Sequence, residues 1–306
     1  MHMFEKTKRI FHKQKYRQWM VAYCFLFPAM ALWLVWFLIP TIKSFAYSFY
    51  DYNYSSTISN KFVGINNYIK LFHNELFWKS VLHSFEVVVI AVPVQTVIAL
   101  ILALLVEQKR KRNSFFRTVF YMPYVLSTVA VATVFVYLFS ENGIMSNFFS
   151  HFGLTNKSWA TNINLALPLI IIIFVWQQVG FFMLMFLSGL QNIPYEVLES
   201  AQVDGANSWK IFFKIKLPLI QPTTFLVLTY GLINSFLIFD QIATVSGSGT
   251  IGSPGDSLYT LVTYYYVNAY LFGDVGYGSA AAMILFVIIL IITLLQSKLS
   301  NQNYEI

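Results

Sequence analysis

The chain has 306 residues, of which 57% are hydrophobic, 18% aromatic and only 11% charged, with a formal net charge of +7. Soluble domains carry roughly 25% charged residues, so this composition excludes a soluble globular enzyme and predicts an all-α integral membrane protein. The excess positive charge flanks hydrophobic runs on one side, which makes it a topological signal and not a nucleic-acid footprint.

Six charge-free runs are long enough, at about 20 residues each, to cross a ~30 Å hydrocarbon core. They are 19–39, 87–106, 118–139, 165–187, 219–239 and 275–295. Segment 1–18 before them is a basic terminus. The first run is too long for a signal-peptide core and no small-x-small cleavage site follows it, so it is expected to stay as a helix. It contains Cys24, the single cysteine, which rules out an intramolecular disulfide or a thiolate metal cluster and reads as a packing residue.

Lysine and arginine set the orientation. Lys6, Lys8, Arg9, Lys13, Lys15 and Arg17 precede the first run. Lys109, Arg110, Lys111, Arg112 and Arg117 lie in the second connection, Lys210, Lys214 and Lys216 in the fourth, and Lys298 in the tail. The opposite connections hold Lys43, Lys61, Lys70, Lys79 and Lys157. Both termini and the fourth connection are therefore expected in the cytoplasm.

Segment 40–86 is expected outside. It is rich in tyrosine, and 62–77 reads as a turn followed by a short amphipathic helix near the membrane surface. The remainder, 87–295, carries Pro93, Pro123 and Pro222, each a predicted bend because proline removes a backbone donor. Residues 258–272 are charge-free but too short to cross, which predicts an interfacial or cavity-lining helix. A short tail, 296–306, ends the chain. The two halves show no convincing internal repeat, so an inverted-repeat transporter gains no support.

Chemistry is sparse. No ionisable side chain is expected mid-span, where its cost is tolerated only for function; Glu86 and Asp240 are read as outer helix ends. His2, His12, His73, His83 and His151 show no metal-ligand spacing. The stretch 247–252 matches a dinucleotide fingerprint but lacks the strand and helix that give it meaning. No glycine is followed directly by lysine, hence no P-loop. What remains is Trp176, Gln177, Gln178 and Phe181 on the fourth run and Asn234, Ser235 and Phe236 on the fifth. Amides and aromatic faces suit a neutral polar solute; the same residues also suit interhelical hydrogen bonding.

The connection 191–218 is longer than most inter-helix loops. Asn192 is positioned to cap a helix whose first turn holds Pro194 and Glu196 and which runs to about Asp204. Gly205 then breaks the chain, and Ser208 is positioned to cap a second helix bearing Trp209, Phe212, Phe213 and Ile215. Small residues Ser200, Ala201 and Ala206 beside the glycine would let another surface come close.

Glu199-Ser200-Ala201, Gly205 and Ile215-x-Leu217-Pro218 resemble, at the same spacing, the EAA signature of permease subunits in binding-protein-dependent ABC importers. Serine stands where the signature has its first alanine. Ile193 to Glu196, Val203 to Ala206, Phe213 and Phe62 to Tyr68 resemble the carbohydrate-uptake branch, similar to maltose and glycerol-phosphate permeases. The loop after the fifth run keeps glycine but not that branch's Thr-x-Gly-Gly-Pro. The resemblance implies a MetI-like permease fold of six transmembrane helices in a bacterial cytoplasmic membrane. It also implies a coupling role for Glu199, Ser200, Ala201, Asp204, Gly205, Ala206, Ile215, Leu217 and Pro218. The implied partners are a second homologous permease subunit, two ATPase subunits that hold ATP and Mg, and an external solute-binding protein. No cofactor would be bound by this chain. The cargo implied is a sugar or oligosaccharide moved by alternating access, with the substrate path on the spans flanking the loop. A polyol, glycerol phosphate or polyamine is the alternative cargo, and a secondary transporter the alternative class; a phosphate ester would call for cations in the path.

Overall fold

The computed structural model describes residues 19–54, 61–107, 111–247 and 249–301. The basic segment 1–18, residues 108–110 with Lys109 and Arg110, Ser248 and the end of the tail, 302–306, lie outside them. Among the described residues five helices are long and apolar enough to cross a membrane, or six with one bent pair counted as a single span.

The first is α1, Trp19–Tyr47. Its hydrophobic side chains are exposed nearly all round, and Cys24 is exposed too. A two-stranded ribbon follows, β1 Tyr50–Asp51 paired antiparallel with β2 Lys61–Phe62, and then α2, Asn66–Phe72. Buried Asn67 donates through Nδ2 to the carbonyls of Ser48 (2.9 Å) and Tyr50 (3.0 Å), which fixes α2 across the C-terminal end of α1. The expected amphipathic helix is present and shorter than the segment assigned to it.

The second span begins earlier than hydropathy suggested. Helix α3 runs Glu75–Val106, 32 residues, capped by the Asn74 side chain on the Phe77 N–H. At 1.5 Å per residue it is roughly 48 Å long, so Glu86 lies within the helix and not at its end. Pro93 sits inside α3 without interrupting it.

The third run is not one straight helix. Helix α4, Lys111–Val125, contains Pro123, and α5, Thr128–Leu138, leaves it at 94°. Ser127 between them is extended, with ψ of 128°. A short helix α6, Ile144–Ser150, and a loop lead to α7, Ala166–Gln191. Helix α7 is apolar on every face and occupies the centre of the bundle, as that pattern requires.

The fourth connection forms α8, Tyr195–Val203, and α9, residues 208–219, which includes a π-turn at Phe212–Lys216. Helix α10, Gln221–Phe236, has Pro222 in its first turn, so this proline starts a helix and does not bend one. A break precedes α11, Asp240–Ser246, whose first residue is exposed Asp240. Residues 261–271 form α12, closed by a capping box between Thr260 and Thr263. It is buried against α3, where the Leu261 N–H donates to Ser84 Oγ at 2.8 Å. The last span is α13, Val275–Asn301.

Three apolar clusters hold this arrangement. One joins α5, α7 and α11 through Phe139, Ile170 and Ile242. A second joins α3, α12 and α13 through Phe77, Tyr264 and Ala281. The third joins α3, α7 and α10 through Ala99, Phe182 and Val227, beside the connection that carries α8 and α9.

Candidate functional site

Helix α8 ends in a Schellman arrangement. The Gly205 N–H donates to the Gln202 carbonyl at 3.0 Å and the Ala206 N–H to Ala201 at 2.9 Å. Gly205 has φ of +77°, a left-handed backbone that glycine adopts without the clash a Cβ brings. The caps differ from the sequence reading. Asn192 has helical backbone angles and closes α7, leaving extended Pro194 at the start of α8. Extended Asn207, not Ser208, caps α9, its side chain accepting the Lys210 N–H at 2.9 Å.

Helix α8 has no buried residue. Glu199, Ser200, Asp204, Gly205 and Pro218 are exposed, and Ala201, Ala206, Ile215 and Leu217 are half-buried. Tyr195, Val197 and Val203 add apolar surface, and Trp209 stacks on Phe213 with ring centroids 5.7 Å apart. A nine-residue helix in isolation is marginal, and this one buries none of its residues against the rest of the chain. Between its concave side and the ends of α3 and α7 lies a cavity of about 1500 Å³, lined by Leu104, Glu107, Asn192, Tyr195, Trp209 and Lys216 among others.

One ion pair ties the connection to the bundle: Lys216 Nζ lies 2.5 Å from Glu107 Oε2. Separately, α4 is tied to the end of α3, where Arg117 donates to the Val106 carbonyl at 3.0 Å. Neither pairing is visible in sequence, because 109 residues separate the first pair.

The residues proposed for a path are not equivalent. Gln177 is buried, donates to the Leu126 carbonyl (3.3 Å) and Thr128 Oγ1 (3.1 Å), and accepts from Gln241 (3.4 Å). It thereby satisfies backbone freed at the α4–α5 break. Ser235 is buried and donates to the Gly231 carbonyl; Phe236 is buried edge-on to Phe85. Trp176 is exposed and lies 5.3 Å from the Phe135 ring. Gln178 is half-buried, with Oε1 lacking a protein partner.

Phe181 has the richer setting. Tyr124 stacks on it with centroids 4.6 Å apart, and the tilted ring of Tyr230 lies 5.3 Å from it. The two tyrosine hydroxyls stand 3.4 Å apart, and Asn234, one turn beyond Tyr230, donates to its carbonyl at 2.8 Å. Sequence reading missed Tyr124 and Tyr230, although tyrosines within otherwise aliphatic spans were a usable signal. These aromatic faces, hydroxyls and amides can cover and hydrogen-bond an uncharged polyhydroxylated ring.

Residues 95–302 match the family described as binding-protein-dependent transport system inner membrane component. The chain is 31% identical over 286 residues to the arabinooligosaccharides transport system permease protein AraP of Bacillus subtilis (strain 168), covering 91% of this chain and 88% of that protein. It is 32% identical over 278 residues to the multiple sugar-binding transport system permease protein MsmF of Streptococcus mutans serotype c (strain ATCC 700610 / UA159), covering 91% and 94% respectively. Its fold resembles a chain of a bacterial alginate ABC transporter solved in complex with an alginate pentasaccharide-bound periplasmic protein, with a TM-score of 0.79, 23% identity and coverage of 96% of this chain and 98% of that one. With its punctuated loop, its multi-pass helical bundle and a family match over most of its length, the chain belongs to the binding-protein-dependent transport system inner membrane components, the multi-pass permease subunits of bacterial ABC transporters, and is not an enzyme.

Proposed function

We propose that this permease subunit forms the translocation path for a sugar or oligosaccharide and works by alternating access. Helix α8 carries the reading: nine residues with none buried, ending at a glycine turn, form a knob that requires a partner's groove. In this reading residues 199–206 couple to a cytoplasmic ATPase subunit, with Ile215, Leu217 and Pro218 setting the return of the chain. Two such ATPases hold ATP and Mg, and this chain binds neither. A second permease subunit completes the path, and an external binding protein delivers the solute. Both termini and the α8–α9 connection lie in the cytoplasm, following the lysine and arginine bias.

The cargo assignment draws on the named sugars of AraP and MsmF and on the uncharged surface of Tyr124, Phe181, Tyr230 and Asn234. Trp176 and Gln178 extend that surface along α7, while Gln177, Ser235 and Phe236 support it from behind. The test is reconstitution with ATPase subunits and binding protein, screening a sugar panel for stimulated ATP hydrolysis. Phe181→Ala and Tyr230→Ala should each lower stimulation about tenfold, within the range of a lost aromatic contact, and leave basal hydrolysis intact. Full stimulation in both variants would refute the assigned path.

A further inference from the structure

Helix α9 presents a face that no described residue of the chain covers. Trp209 and Phe213, one turn apart, are 71% and 53% exposed and stack with ring centroids 5.7 Å apart and planes 8° from parallel. Lys210 and Lys214 stand beside them, both exposed, and among the described residues neither pairs with a carboxylate. Buried Ile211 and half-buried Phe212 and Ile215 turn the other way. Residues four apart lie above one another on a helix, so the exposed face is a stripe of two flat aromatic bodies edged by two cations.

The depth of this stripe follows from the tie to α3. Glu107 is the first charged residue after the apolar run 87–106, and Lys216 the last before the run 219–239. Their ion pair therefore marks the level at which both spans leave the hydrocarbon. Trp209 precedes Lys216 by seven residues, so the whole stripe lies within roughly 11 Å of that level at 1.5 Å per residue. Aromatic rings and lysines at this depth suit the headgroup layer. Helix α8 carries the opposite charge: Glu196 and Glu199, with Asp204 just after it, are exposed, and no lysine or arginine occurs from 195 to 206.

We propose that this face of α9 docks on the headgroups of anionic phospholipids, its ammonium groups on phosphodiester oxygens and its rings at the boundary with the acyl chains. The same anionic surface repels α8, so the two helices sort by charge and the coupling knob is held clear of the membrane. The inference rests on the orientation proposed above, which makes the leaflet the cytoplasmic one.

The test places a fluorophore on Phe213→Cys in the assembled complex, made otherwise cysteine-free with Cys24→Ser, in nanodiscs holding a few per cent of headgroup-nitroxide phosphatidylglycerol or phosphatidylcholine. Quenching by the phosphatidylglycerol probe should be about tenfold more efficient. Lys210→Gln with Lys214→Gln should lower that preference at least about fivefold, the factor that one lysine contributes near an anionic surface. Retained ATPase co-purification shows that this variant assembles. The same fluorophore on Val203→Cys in α8 should be quenched by neither probe. Equal quenching of the Phe213 site by both probes, weak or strong, overturns anionic docking. Shielding of that site from a water-soluble quencher only when the ATPase subunits are bound assigns the face to them and also overturns it. Labelling of Val203→Cys from outside intact membranes refutes the orientation alone, because nanodiscs expose both leaflets and read lipid contact on either side.

Discussion

Lys216 reaches back across 109 residues of chain to set its ammonium 2.5 Å from the Glu107 carboxylate. The pair joins the end of α9 to the end of α3 and anchors the α8–α9 connection to the bundle. Both side chains are about four-fifths buried. Glu107→Lys or Lys216→Glu alone should weaken this attachment by about 1–2 kcal/mol, reducing uptake per ATP hydrolysed. The double exchange should restore much of it, and uptake-to-hydrolysis ratios across the four proteins check this.

Gly205 separates backbone strain from partner contact. A side chain there meets no atom of this chain within 4 Å, so Gly205→Ala bears only the left-handed penalty of about 1–2 kcal/mol. Gly205→Trp should cost no more in membrane insertion or melting temperature, yet abolish uptake and ATPase co-purification if another surface closes over the turn. Equal behaviour of the two variants would show an open turn.

Gln177 is expected to act through stability. Gln177→Leu leaves the Leu126 carbonyl and Thr128 hydroxyl without this partner at the 94° break. The loss should be about 1–3 kcal/mol, read as a lower melting temperature, with the order of preference among sugars unchanged in the ATPase assay.

Asp274 makes the junction between Asn53 and the start of α13 sensitive to pH. Its backbone bridges to Asn53, and burial pushes its carboxyl above the ordinary range, partly offset by the Tyr277 N–H donating to Oδ1. Raised in the folded state, the group binds its proton more tightly there than in the unfolded chain. It therefore removes stability as pH rises from the unfolded carboxylate range through its folded value. Asp274→Asn retains an acceptor for Tyr277 and should flatten that decline, measured as melting temperature against pH.

Orientation can be read by labelling. On the Cys24→Ser background, Tyr54→Cys and Thr250→Cys should react with an impermeant reagent from outside, and Val203→Cys only after permeabilisation. Tyr54, Thr250 and Val203 are all exposed, so access depends on the membrane side. The reverse pattern would invert the topology.

What was readable in the sequence follows from local physics. Apolar runs mark spans because lipid demands them, and the Gly205 turn is legible because chirality acts within one residue, whereas the caps at Asn192 and Ser208 were misplaced by one or two residues. The cluster around Phe181 was only half legible: Phe181 and Asn234 stood out as residue types, but Tyr124 and Tyr230 join them only when α4, α7 and α10 pack side by side. The same holds for the 94° break held by Gln177 and for the Glu107–Lys216 tie. Each depends on two segments far apart in the chain meeting at a particular depth and angle. Hydropathy and turn chemistry carry no record of that; only the packing of the tertiary structure decides it.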